Sequence, residues 1–201
     1  MTRIKLCGIS RLCDIDVVNE LKPEYIGFVF APKSKRYVTD GKAAELKKAL
    51  AADIKAVGVF VDEPIEHVVE LLNNDIIDVA QLHGNEDEKY ISSLREHSNK
   101  PIIKAFTVTN EELIENIERC TADYVLLDSG AGSGECFEWN LIKNIKRPFF
   151  LAGGLDETNV KKAISEIKPF AVDVSSKIET DGLKDEKKMI TFVKNVRQID
   201  T

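Results

Sequence analysis

Residues 54–82 read IKAVGVFVDEPIEHVVELLNNDIIDVAQL, and this stretch contains the unit that decides the fold. It begins with a continuous apolar run at residues 54–61 and ends with a second run at residues 79–82. Short unbroken apolar runs are typical of strands that are buried on both faces, as in a parallel sheet. Between the runs, the start signals Asp62 and Pro64 precede an apolar stripe at helical spacing. The stripe consists of Ile65, Val68, Val69 and Leu72.

The same pattern extends over the rest of the chain. Six further apolar runs lie at residues 4–7, 25–30, 102–106, 124–127, 149–152 and 170–174. They recur about every 24 residues, which is close to the shortest strand–helix crossover. Eight strand–helix units without a second pattern predict a closed (β/α)8 TIM barrel, an α/β fold with a single domain over residues 1–201. An open doubly wound sheet is the alternative that the pattern leaves.

Composition excludes several classes of function. The 201 residues carry a net charge of −6, and such a surface repels nucleic acids and anionic membranes. A phosphorylated small molecule would therefore be bound by local dipoles or by a few basic side chains. The four cysteines form no C-x-x-C pair, and the chain has no signal-peptide pattern and no apolar run of membrane-spanning length. These features predict a cytoplasmic protein with reduced thiols.

Barrel enzymes hold their active site at the carboxyl ends of the strands, so the residues that follow the apolar runs are the candidates for the site. Residues 129–138, with three glycines, follow the sixth run and are a candidate active-site loop. Thr109 and Glu112 form a capping-box pattern that predicts the start of the fifth helix.

The ends of the seventh and eighth strands predict a phosphate site. Gly153 and Gly154 follow the seventh run, and paired glycines let a backbone bring its N–H groups close to a ligand. Ser175 and Ser176 follow the eighth run and are expected to open a short helix that faces the same anion. Barrels often bind phosphate with these two loops. The alternative is structural: the glycines make a tight turn and the serines cap a helix.

Four other strand ends offer reactive or charged groups. Cys7 shares a strand face with Lys5, whose ammonium would favour the thiolate; the alternative is a thiol that only packs. Asp128, directly after the sixth run, is a candidate general acid or else a cap. Arg36 is suited to clamping a carboxylate, although a solvated surface charge is the default for one arginine. His83 either lines the site or has a structural role.

The sequence contains none of the common cofactor or metal motifs. It has no P-loop, no G-x-G-x-x-G fingerprint and no G-x-S-x-G elbow. Its three histidines do not have metal-ligand spacing. We therefore expect neither a cofactor nor a metal ion.

Taken together, the motifs resemble the phosphoribosylanthranilate isomerase family from end to end. The matching segments are KLCGIS, GFVF followed by SKRYV, VGVFVD, QLHG, LLDS with GSGECFEW, LAGGL, DVSSKIE and GLKDEKK. The resemblance implies a TIM barrel that carries out a cofactor-free Amadori rearrangement in tryptophan biosynthesis. It also implies a monomer or a homodimer. Lys177 departs from the family pattern, because many relatives have glycine at that position.

The resemblance also implies roles for individual residues. Asp128 matches the general acid that protonates the ring oxygen, and Cys7 matches the general base that removes the C2′ proton. Arg36 matches the contact to the anthranilate carboxylate. Gly154, Ser175 and Ser176 match the phosphate contacts.

Two other functions compete with this interpretation. One is a phosphate-binding barrel lyase of the same pathway, such as indole-glycerol-phosphate synthase or the tryptophan synthase α subunit. Because the synthase is expected to need catalytic Lys and Glu residues at strand ends, the presence of Cys7 and Asp128 there argues against it. The other is a non-catalytic phosphate-binding barrel, which would bind the ligand without turnover.

Overall fold

The computed structural model describes residues 1–108, 113–128 and 139–199, with the backbone alone at Asn140. The capping-box pair Thr109 and Glu112 and the glycine-rich loop at residues 129–138 lie outside the described residues. Within the described ranges, none of the helices is both long enough and apolar enough to cross a membrane.

Eight parallel strands close into a barrel in chain order, and the last strand pairs with the first. Their bounds are β1 (Arg3–Cys7), β2 (Tyr25–Val29), β3 (Lys55–Phe60), β4 (Val79–Leu82), β5 (Ile102–Thr107), β6 (Tyr124–Asp128), β7 (Phe149–Leu151) and β8 (Ala171–Val174). Each strand coincides with one of the eight apolar runs to within one residue at either end. The predicted barrel is therefore confirmed, and the doubly wound alternative is wrong.

Helices connect most of the strands. They are α1 (Leu12–Leu21), α2 (Asp40–Ala49), α3 (Ile65–Asn73), α4 (Glu88–His97), α5 (Leu113–Arg119), α6 (Val160–Ile167) and α7 (Glu186–Arg197). In one of the eight predicted strand–helix units, the described residues do not include an α-helix. Between β6 and β7 the described residues form only a short 3-10 helix, Trp139–Ile142. A two-stranded hairpin, β9 (Glu179–Thr180) and β10 (Leu183–Lys184), lies between β8 and α7.

The start of α3 shows how one predicted signal differs from the structure. Pro64 precedes the helix, where its fixed φ suits the first turn. Asp62 does not cap the helix; it adopts a positive φ of 51° and accepts hydrogen bonds from Asn85. Asp62 therefore connects the loops after β3 and β4.

The core has two layers because strand residues alternate between the faces of the sheet. Outward-facing side chains pack against the helices in one large apolar cluster. Inward-facing side chains fill the barrel, and they are Val57, Val79, Ile103, Ala105, Leu126, Phe150, Ala152 and Ala171. Phe150 lies edge-on to Tyr25 and Tyr124, with ring centroids 5.3 Å and 5.8 Å away, and so helps to close the amino-terminal end of the barrel.

On three strands, the next inward-facing residue after this apolar interior, two positions further along the strand, is polar. Gln81 stands two residues beyond Val79, Asp128 two beyond Leu126, and Asp173 two beyond Ala171. The inward face of these three strands thus changes from apolar to polar at the carboxyl end of the barrel, whereas β2 and β3 keep Val29 and Val59 there. These side chains form the floor and walls of the site described next.

Candidate active site

A cavity of about 450 Å³ opens at the carboxyl end of the barrel, and all eight strands or the loops after them contribute to its wall. The wall includes every residue that the sequence singles out for the site. These are Cys7, Arg36, Asp128, Gly154, Ser175 and Ser176. The structure therefore brings together groups that lie up to 169 positions apart in the chain. His83, whose place the sequence left open, lines the same cavity.

Cys7 lies at the inner wall with its side chain almost entirely buried. Its sulfur occupies space that Gly27 leaves free, since a Cβ at that glycine would stand 2.7 Å from Sγ. The Lys5 ammonium, one layer deeper, donates to Asp173 Oδ2 at 2.9 Å. This confirms that Lys5 and Cys7 share the interior face of β1.

Burial raises the pKa of the Cys7 thiol above its ordinary value. The Lys5 ammonium acts in the opposite direction, and the Asp173 carboxylate adds to the rise. The expectation that Lys5 favours the thiolate is therefore right in sign, but burial outweighs it in the free protein. Burial also lowers the pKa of Lys5, yet Asp173 and Cys7 together raise it above its ordinary range.

Asp128 ends β6 on the other side of the cavity and is more accessible, with 26% of its side chain exposed. His83 Nε2 lies 3.6 Å from Asp128 Oδ2. On its other side, His83 Nδ1 lies 3.0 Å from Gln81 Nε2. Burial lowers the pKa of His83, against the opposing effect of Asp128, so the imidazole is neutral near pH 7.

Arg36 is held by a carboxylate of the protein. Its Nε and Nη2 donate to the two oxygens of Glu179 at 2.6 Å and 2.8 Å. Lys184 Nζ also donates to Glu179, at 2.6 Å, and to the Ser175 carbonyl oxygen. A side-on pair of this kind leaves the remaining terminal N–H groups of the guanidinium for another partner. A Cβ at Gly8 would lie 2.4 Å from Arg36 Cδ, so the arginine stem also depends on that glycine.

The phosphate end is formed mainly by backbone. Gly153 and Gly154 both have positive φ values, 85° and 67°, which glycine adopts without strain. Ser176 begins a 3-10 helix of three residues, which agrees with the short helix that the sequence predicts at this position. Ser175 Oγ donates to the Cys7 carbonyl oxygen at 3.1 Å, and this bond joins the phosphate end to the thiol end. Lys177 also lines the cavity.

Sequence reasoning missed several members of this site. Gln81, Glu179 and Lys184 were not singled out, although all three are buried or half-buried and belong to the hydrogen-bond network just described. For Gln81 a signal was available, because it shares a strand face with His83 two residues later. For the hairpin that carries Glu179 and Lys184, the signal was the turn dipeptide Asp181-Gly182.

The described side chains do not include a cluster of three or more His, Cys, Asp or Glu residues that could hold a metal ion. The polar groups that face the cavity are instead a thiol, carboxyls, an imidazole and cations. This donor set suits proton transfer to and from an organic anion.

Comparison with known proteins agrees with this geometry. A family model described as N-(5′-phosphoribosyl)anthranilate (PRA) isomerase matches residues 4–195. An isomerase of that name from Clostridium acetobutylicum is 45% identical over 98% of this chain and 99% of its own.

Solved structures give the same result. One phosphoribosyl anthranilate isomerase, in complex with reduced 1-(o-carboxyphenylamino)-1-deoxyribulose 5-phosphate, is 36% identical and has a TM-score of 0.87 over 98% of this chain and all of its own. Another, from Thermotoga maritima and described as monomers of a dimeric enzyme, is 35% identical with the same TM-score and coverage. The chain therefore belongs to the N-(5′-phosphoribosyl)anthranilate isomerase family, a family of isomerases of tryptophan biosynthesis.

Proposed function

We propose that this chain converts N-(5′-phosphoribosyl)anthranilate to 1-(2-carboxyphenylamino)-1-deoxyribulose 5-phosphate without a cofactor, with Asp128 as the acid and Cys7 as the base. One observation carries the assignment of residues. A thiol on β1 and a carboxyl on β6 line the same cavity, and the loops after β7 and β8 complete its wall. Strands one and six stand well apart around a barrel of eight, so these groups approach a bound sugar from different sides.

The reaction requires an acid and a base in opposite protonation states. Asp128 donates a proton to the ring oxygen, the bond from that oxygen to C1′ breaks, and a Schiff base forms. The Cys7 thiolate then removes the proton from C2′, which gives an enolamine that becomes the ketone. The partly exposed Asp128 can regain its proton from solvent, whereas the buried Cys7 is shielded from it.

Binding uses the two ends of the cavity. The glycine turn at Gly153 and Gly154 and the backbone at Ser175 and Ser176 hold the phosphate, and Lys177 adds positive charge. Arg36 binds the anthranilate carboxylate through its terminal N–H groups, because Glu179 already occupies Nε and one N–H of Nη2.

The partners of the chain follow from this chemistry. Its ligand is a phosphorylated small molecule, and the net charge of −6 gives no reason to expect a nucleic acid partner. A cytoplasmic location suits a biosynthetic enzyme with reduced thiols. The Thermotoga relative is described as dimeric, and a monomer or a homodimer is proposed for this chain.

The test is direct turnover. Purified protein is given N-(5′-phosphoribosyl)anthranilate, and substrate and product, which have equal mass, are separated chromatographically. We expect the ketose to appear only with enzyme. Parallel incubations with the substrates of indole-glycerol-phosphate synthase and of tryptophan synthase α test the lyase alternative. Binding of the isomerase substrate without conversion would support a non-catalytic barrel and contradict the proposal.

A further inference from the structure

Two buried side chains in the cavity wall each carry an oxygen atom that lacks a hydrogen-bond partner within the described part of the chain. The atoms are Asp173 Oδ1 and Gln81 Oε1, and their residues are 8% and 1% exposed. A buried acceptor without a donor costs about 1–3 kcal/mol. Native proteins leave few such atoms unpaired, so both oxygens point to a donor that a ligand brings.

Asp173 is the one of the two that stands beside the proposed base. In the β1–β8 pair it is opposite Lys5, whose ammonium fixes Oδ2 and leaves Oδ1 available. Its charge acts directly on the Cys7 thiol, one layer nearer the mouth of the barrel. Gln81 is on β4, which lies across the barrel from β8, and its amide contacts His83.

The substrate has a donor where Asp173 needs one. The carbon from which Cys7 removes a proton also carries a hydroxyl group, so a thiolate at C2′ brings this hydroxyl close to the neighbouring carboxylate. We infer that Asp173 is a further catalytic residue: its Oδ1 binds the C2′ hydroxyl and takes the hydroxyl proton when the enolamine becomes the ketone. The inference rests on the proposed function and assigns its last step.

The step balances in atoms and electrons. The electron pair of the C1′–C2′ double bond forms a C–H bond at C1′ with the proton that Cys7 took from C2′. The O–H bond of the hydroxyl breaks, its electron pair forms the C2′ carbonyl, and its proton passes to Asp173. Once the product has left the cavity, Asp173 releases this proton to the water that enters, and Asp128 regains from solvent the one that it donated. Lys5, which does not touch the substrate, is a positioning residue for the carboxylate.

Kinetics of Asp173→Asn test the proton transfer. In single turnovers with enzyme in excess, two rates are followed: disappearance of the substrate and formation of the ketose. We expect ketose formation to fall about a hundredfold while substrate disappearance falls much less, because Cys7 still removes the C2′ proton and the enolamine accumulates. An equal fall in both rates would mean a structural role and would overturn the inference. Asp16→Asn, on the exposed face of α1, is the matched control for the charge change.

Binding tests the hydroxyl contact separately. The probes are the reduced product, which has a hydroxyl at C2, and its 2-deoxy counterpart. In the wild-type protein the hydroxyl is expected to strengthen binding about tenfold. In Lys5→Met/Asp173→Leu, where apolar side chains replace the ion pair, this preference should disappear. An unchanged preference would contradict the inference.

A crystal structure of the wild-type protein with the reduced product covers the case in which the variants do not fold. We expect Asp173 Oδ1 within about 3.2 Å of the C2 oxygen, and a hydroxyl bound elsewhere would overturn the inference. A wild-type protein that binds the probes but makes no ketose would instead contradict the proposed function, so the two failures are distinguishable.

Discussion

The thiol side and the carboxyl side of the cavity are built on the same barrel but differ in burial and in charge. On the thiol side, Cys7 lies above a buried ion pair between Lys5 and Asp173. On the carboxyl side, Asp128 and His83 keep about a quarter and a third of their side chains exposed. A base that must remove a proton from carbon benefits from exclusion of water, whereas an acid that must be recharged each turnover benefits from access to it.

The sharpest test of this comparison removes one reactive group at a time. We expect Cys7→Ser and Asp128→Asn each to lower kcat about 10³-fold with the fold intact, because each removes one proton-transfer group. Cys13→Ser and Asp53→Asn, which change exposed residues of the same types, are the controls. Turnover near the wild-type rate in either active-site variant would refute that residue's role.

The ion pair on the thiol side is expected to contribute to stability as well. Lys5→Met leaves Asp173 as an uncompensated buried charge, and we expect a loss of about 3–5 kcal/mol in the free energy of unfolding, measured in urea. Arg119→Met, which breaks an exposed ion pair with Glu115, should cost less than about 0.5 kcal/mol. Equal losses would show that burial does not distinguish the two pairs.

Arg36 tests the binding wall between the two sides. Arg36→Ala should raise KM about tenfold or more and change kcat less, because the guanidinium binds the carboxylate in both ground and transition states. Lys35→Ala alters a neighbouring cation outside the cavity wall and should leave KM unchanged. An unchanged KM in Arg36→Ala would exclude Arg36 from substrate binding.

The smallest effect concerns pH. Since burial raises the pKa of the Cys7 thiol, its alkylation by iodoacetamide should reach half its maximal rate at a pH above the ordinary thiol value of about 8.5. The modified residue is identified by mass spectrometry, with Cys7→Ser as the blank. The product analogue should protect Cys7. A midpoint below the ordinary value would show that Lys5 outweighs burial.

The barrel was predictable because its signal is local and repeated eight times. The cavity residues at strand ends followed from the same pattern, and alternation alone would have placed Gln81 and Asp173 on the inward face. The partners of these residues were not predictable, because barrel closure joins Lys5 to Asp173 across 168 positions and Arg36 to Glu179 across 143. Sequence patterns cover only a few neighbouring residues, so they do not show which residues pair over such distances along the chain.

The connection after β6 shows where the repeated pattern predicts more than the described residues contain. Steady spacing of the apolar runs predicts a helix in every crossover, but spacing fixes only the length of the connection. In the described part of this connection, residues Trp139–Ile142 form a 3-10 helix instead of an α-helix. Prediction of strands was thus more reliable than prediction of what joins them, because a buried strand is constrained by both of its neighbours.

The absence of a Cβ atom at Gly8 and at Gly27 leaves the space that the side chains of Arg36 and Cys7 occupy. The first carbon of any side chain at residue 27 would collide with the sulfur of Cys7, and one at residue 8 with the stem of Arg36. A single added carbon at either glycine introduces no charge and removes no polar group, yet it would displace the atom that reacts or the atom that binds. An engineer who wishes to change this cavity therefore has less freedom at these two glycines behind its wall than at many larger residues that line it.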